Sequence, residues 1–90
     1  MIKVSVCEPL QRYCRNEDTL IGDGGCVLEV LKDISRDFPE LKRKLFKAEN
    51  SLSAQVLIYK NLKDIRLLQN GDTPVDSRTE LKLVVALCGG

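Results

Sequence analysis

Leu81-Lys82-Leu83-Val84-Val85-Ala86-Leu87-Cys88-Gly89-Gly90 closes the 90-residue sequence, and its reading decides the fold. Leu81 to Leu87 is rich in side chains that suit a pleated, buried surface, and seven residues is strand length. These residues are expected to form the last strand. Gly89 and Gly90 have no side chain, so their backbone can approach another surface closely, at the entropic cost of ordering a flexible peptide. Leu87 to Gly90 reaches ~13–14 Å when extended, far enough for a carboxylate on Gly90 to enter a nucleotide site. The competing reading is a frayed terminus; a rigid, apolar strand before the pair favours presentation.

Working outward, Ile2 to Cys7 alternates Ile2, Val4 and Val6 against Lys3, Ser5 and Cys7, the period of a strand with one buried face. Pro9 ends it. Leu10 to Arg15 reads as a turn or short helical segment, and Asp18 to Gly22 as a weaker strand. After the Asp23-Gly24-Gly25 turn the period changes. Val27, Leu28, Val30, Leu31, Ile34 and Phe38 recur at spacings of three and four, which predicts a helix from Cys26 to Asp37 with Glu29, Lys32, Asp33, Arg36 and Asp37 outward. Pro39 suits the first turn of a second, short helix with Glu40 near its start, Lys42-Arg43-Lys44 and Lys47 toward its end, and Leu41, Leu45 and Phe46 docking it. Ala48 to Ala54 reads as a connection. Gln55 to Lys60 is a strand, Asn61 to Asp64 turns it into a partner containing Ile65, Leu67 and Leu68, and Gln69-Asn70-Gly71-Asp72 is a further turn. The order β, β, α, short α, β, β, β predicts an α+β domain over residues 1–87, a mixed sheet of about five strands packed on one main helix plus a short second helix. Residues 88–90 are expected to form a flexible Cys-Gly-Gly tail.

Lys and Arg number 14 against 13 Asp and Glu, a formal net charge of +1. No overall field exists to hold nucleic acid or an anionic membrane, so neither is an expected partner. The basic cluster at Lys42, Arg43, Lys44 and Lys47 is short enough to be an ordinary solvated helix face rather than a docking patch. No run of 18 apolar residues occurs and Met1 to Val6 reads as a strand, not a leader, so cytoplasmic residence is expected. Cys7, Cys14, Cys26 and Cys88 are then expected as free thiols, and without histidine or paired C-x-x-C spacing no metal site is expected. No phosphate-binding glycine loop and no nucleophile with an evident base is present, so no catalytic residue is assigned.

Four stretches together carry a resemblance: the opening strand Ile2-Lys3-Val4-Ser5-Val6, the Pro39-Glu40-Leu41 after the helix, the Asn70-Gly71-Asp72-Thr73-Pro74-Val75 turn, and the final apolar strand ending in Gly89-Gly90. Across essentially its whole length the chain resembles the ubiquitin-like β-grasp sulfur carriers, the family of the small subunit of molybdopterin synthase and the thiamin sulfur carrier. Length and the second short helix look more like the molybdopterin-synthase and archaeal type than the shorter thiamin type.

The resemblance implies that the protein is a co-substrate, not an enzyme. A ubiquitin-activating-type adenylating enzyme would use ATP to convert the Gly90 carboxylate into an acyl adenylate. A sulfur donor, either sulfide or a persulfide-bearing protein, would then displace AMP, and the Gly90 thiocarboxylate would serve a sulfur-accepting synthase subunit. No cofactor is expected to be bound by this chain. Gly89 and Cys88 would be presented to the partner with Gly90. Cys88 is a candidate for exchanging a persulfide or capturing the activated acyl group, set against an incidental thiol. Ile58, Leu67 and Leu83 are candidates for an apolar docking surface, subject to the strand register. Molybdopterin is the leading destination of the sulfur; thiamin, cysteine and homocysteine synthesis stay open. So do a ubiquitin-like modifier joined through Gly90 to lysines, and an interaction module whose tail has no chemistry.

Overall fold

A computed structural model describes residues 1–86. Strand β1 (Ile2–Val6) buries Ile2, Val4 and Val6 and turns Lys3 outward, as its alternation requires. A single helical turn, α1 (Glu8–Gln11), carries Pro9 in its first turn, where the missing N–H has no partner to lose. Arg15 and Asn16, both at positive φ, reverse the chain into β2 (Thr19–Gly22), which pairs antiparallel with β1.

The main helix, α2 (Val27–Ser35), lays Val27, Val30, Leu31 and Ile34 on the sheet. Cys26 stands outside it in extended conformation, with its carbonyl accepting the Val30 N–H. Glu29 Oε1 accepts the Gly25 N–H at 2.7 Å, which secures the helix entry and places a carboxylate at the positive end of the dipole. The helix is shorter than the period predicts because Pro39 disfavours α conformation at Phe38, and the N–H groups of Arg36 and Phe38 bond back three residues to Asp33 and Ser35. Gly22 allows β2 to lie close on α2, since a Cβ there would stand 2.5 Å from Ile34 Cγ2 and 3.2 Å from the Val30 carbonyl oxygen.

A second short helix, α3 (Pro39–Leu45), docks through Leu41 and Leu45. Phe46, expected on that helix, instead opens β3 (Phe46–Ala48), which pairs with β4 (Ser51–Leu52), so the predicted connection from Ala48 to Ala54 contains half of a small hairpin. The next strand, β5 (Val56–Lys60), turns through Asn61 and Leu62 into β6 (Lys63–Asp64), two residues long. The longer partner strand expected through Ile65, Leu67 and Leu68 is not formed. Asp64 accepts the Arg66 N–H at 2.9 Å and starts a 3₁₀ turn over Ile65–Leu67, which buries Ile65 and leaves Leu67 and Leu68 outside. A second 3₁₀ turn, Asn70–Asp72, leads toward β7 (Glu80–Val85).

The five-stranded sheet has the order β2-β1-β7-β5-β6. Its central strand, β7, runs parallel to β1 and antiparallel to β5. Val4, Val6, Ile58, Leu81 and Leu83 from the sheet meet Val30, Leu31, Leu41 and Leu45 from the helices in one core. Among the described residues no buried side-chain nitrogen or oxygen lacks a partner. None of the described helices is long and apolar enough to cross a membrane.

Candidate functional site: the root of the tail

β7 is hydrogen-bonded along both edges, and its ladder with β5 matches Leu83 with Ile58, Val84 with Leu57 and Val85 with Val56. The pairing continues one residue further, where the Ala86 N–H donates to the Gln55 carbonyl at 2.9 Å. On the other edge the Cys7 N–H donates to the Leu83 carbonyl at 3.1 Å, after which α1 replaces β1 as the neighbour of β7. Gln11 fastens α1 to the end of β1 through Nε2, which donates to the Val6 carbonyl at 2.9 Å. The chain therefore reaches Ala86 from the most constrained strand of the sheet. Cys88, Gly89 and Gly90, together with Leu87 of the predicted last strand, lie outside the described residues.

Beside this root lies a groove of about 260 Å³ lined by Pro9, Arg12, Tyr13, Lys44, Gln55 and Val85, among others. Tyr13 has the Arg12 guanidinium 5.6 Å and the Lys44 ammonium 5.4 Å from its ring centroid, both within cation–π range. Arg43 and Glu40 line an adjoining depression with Tyr13, Lys44 and Gln55. From the sequence, Arg43 and Lys44 read as plain surface, and Arg12 and Tyr13 carry no assigned role. Nothing in the linear sequence places residues 12–13 against residues 43–44, since the two segments meet only across the sheet end.

Two of the three proposed docking residues point the wrong way. Ile58 is 4% exposed and Leu83 fully buried, because both share the inward face of the sheet with Val56 and Leu81. The outward face carries their neighbours: Leu57 opposite Val84, Tyr59 opposite Lys82, and Lys82 beside Ser5 of β1. Leu67 is 77% exposed, but it sits on the 3₁₀ turn after β6 and not on the sheet.

The described cysteines are free thiols. Cys14 is buried, and burial is the main cause that pushes its pKa up; a hydrogen bond from the Glu17 backbone opposes this, and the Glu17 charge reinforces it. That thiol is a core side chain, not a reactive one.

No family model matches the chain, and no curated protein matches it by sequence. Solved structures do. A chain of the Amycolatopsis orientalis BexX/CysO complex superposes with a TM-score of 0.87 at 23% identity, covering 100% of both chains. Small archaeal modifier protein 1 from Methanosarcina acetivorans gives 0.88 at 23% identity, over 99% of this chain and 95% of its own. Urm1 from Sulfolobus solfataricus gives 0.73 at 24% identity, over 93% and 99%. With its mixed five-stranded sheet, central parallel β1–β7 pair and packed main helix, the chain has the ubiquitin-like β-grasp fold of these small proteins.

Proposed function

We propose that this chain is a sulfur carrier, activated at Gly90 and used as a thiocarboxylate. The observation that carries the proposal is the delivery of the tail by the central strand: β7 is held on both edges, and Ala86 is still bonded to Gln55 four positions before Gly90. A strand so held keeps the body rigid while the glycines reach into a partner. The Gly90 carboxylate would attack the α-phosphate of ATP on an adenylating enzyme and release pyrophosphate. Sulfide would then add to the acyl carbon, and AMP would leave with the C–O bonding pair. If the donor is a persulfide, the acyl disulfide first formed is cleaved by a second thiol, whose sulfur is oxidised to a disulfide as the thiocarboxylate is released. The carrier itself contributes the carboxylate and its presentation, and every catalytic group belongs to the partners.

Molybdopterin synthesis is the proposed destination, on the strength of the chain's length and second short helix. The test is intact-mass analysis of the chain recovered from its native host under sulfur-preserving conditions, with fragmentation of the C-terminal peptide. One oxygen of Gly90 replaced by sulfur is the expected result. Gly90 joined to lysines of other proteins, with no thiocarboxylate, would instead establish a protein modifier, a reading favoured by the modifier named among the structural neighbours. Free acid without conjugates would leave an interaction module.

A further inference from the structure

Arg12 lies just after α1 and Lys44 on α3, yet both cations stand within 6 Å of the same Tyr13 ring, and Arg43 lines the depression next to them. Among the described residues the ion pairs are Met1 with Asp23, Arg36 with Asp33 and Arg66 with Asp64, so Arg12, Arg43 and Lys44 have no carboxylate within ion-pair distance. Glu40 is the one acidic residue lining either hollow. In a chain of net charge +1, these cations are concentrated beside Gln55 and Val85, at the point from which the tail departs. The ring contacts hold two of them in place over a groove that is apolar at its base, where Leu10 and Val56 are buried.

We infer that this groove is a docking site for an acidic surface on the adenylating enzyme, at the mouth of the slot that admits the tail. The inference rests on the carrier reading and names how the partner grips the body. Three cations are too few for nucleic acid or a membrane, whose binding needs many phosphate contacts. They match a protein carboxylate cluster, where complementary charge orients the encounter and speeds association. A grip at the tail root is also the place where the fewest residues need ordering between the anchor and the reacting carboxylate.

The test is ATP–pyrophosphate exchange by the adenylating enzyme of the same organism, with the full-length carrier as varied substrate. Arg12→Glu combined with Lys44→Glu is expected to raise the KM for the carrier about tenfold with kcat at saturation retained, and to flatten the rise of KM with salt. Arg12→Lys combined with Lys44→Arg should return KM to within about twofold of the wild type, since the charge is restored. Lys63→Glu combined with Arg78→Glu, at the far end of the sheet, is the charge-matched control and should leave KM near the wild-type value. Circular dichroism and thermal melting verify that each variant is folded. Exchange with an unchanged KM in the Arg12/Lys44 double variant, or an equal rise in the control, overturns the docking inference and leaves the carrier reading standing. No exchange with the wild-type chain overturns both.

Discussion

Single residues carry the tightest geometry. Gly22 is the contact between β2 and α2, and a methyl group there would meet Ile34 at 2.5 Å and the backbone oxygen of Val30 at 3.2 Å. Ile34 can rotate; the helix backbone cannot. Gly22→Ala is expected to destabilise the fold by about 1–3 kcal/mol through overpacking, read as a lowered urea midpoint at unchanged slope. Cys14 makes a second residue-scale case. It is fully buried, whereas Cys7 and Cys26 are half-buried, so a thiol reagent under native conditions should label Cys14 on the order of a hundredfold more slowly than the other two. Mass mapping of the modified peptides checks this, and equal labelling would mean that α1 opens readily from the sheet. A third case is Leu62, at φ 73° and 88% exposed beside Asn61 at φ 48°. Both positions of this hairpin turn need a left-handed backbone, which asparagine tolerates and leucine resists. Leu62→Gly should therefore stabilise the protein by about 0.5–1 kcal/mol, visible as a raised melting temperature.

At the level of elements, the period-2 alternation of β5 and β7 decides what a substitution does. Leu83 and Ile58 face the helices while Lys82 and Tyr59 face away, so neighbours in sequence belong to different environments. Leu83→Ala is expected to cost about 2–5 kcal/mol by opening a cavity, and Lys82→Ala less than about 0.5 kcal/mol. Chemical denaturation of the two variants checks the register; a reversed order would require the strand to be shifted by one residue. The same alternation moves the expected sheet contact surface from Ile58 and Leu83 to Leu57 and Val84. In the strand after β5, apolar content alone misleads. Ile65, Leu67 and Leu68 look like a strand, but the Asp64 side chain captures the Arg66 N–H and converts the segment into a 3₁₀ turn.

At the scale of the whole molecule, two carboxylates make stability depend on acid. Asp64 is held below the usual carboxylate range chiefly by the hydrogen-bonding Arg66 side chain, then by the Arg66 N–H. Asp76 is lowered chiefly by the Arg78 N–H, then by the Thr79 hydroxyl and the charges of Lys60 and Arg78, against an opposing effect of burial. Both groups bind protons more weakly when folded than when unfolded. Their stabilisation is therefore complete above the unfolded value, ~3.9, and is lost as pH falls below it toward the lowered folded values. Thermal melting against pH should show the midpoint falling through that window, and Asp64→Asn combined with Asp76→Asn should flatten the fall while lowering stability at neutral pH.

Much of this protein was determined by sequence alone, because the features concerned are local. Alternation in Ile2 to Val6, helical spacing from Val27 to Ile34, Pro39 at a helix start and the apolar run before the last glycines each state their element within a few residues. Together with the resemblance, they carried the α+β architecture and its sheet. Tertiary structure decided what depends on distant partners. The parallel pairing of β1 with β7 made the last strand central, and its register sent Ile58 and Leu83 inward. It was also tertiary packing that brought Arg12 and Tyr13 to Lys44 at the root of the tail, since the potential of a cation depends on the charges around it in space, and neighbours in sequence do not supply them.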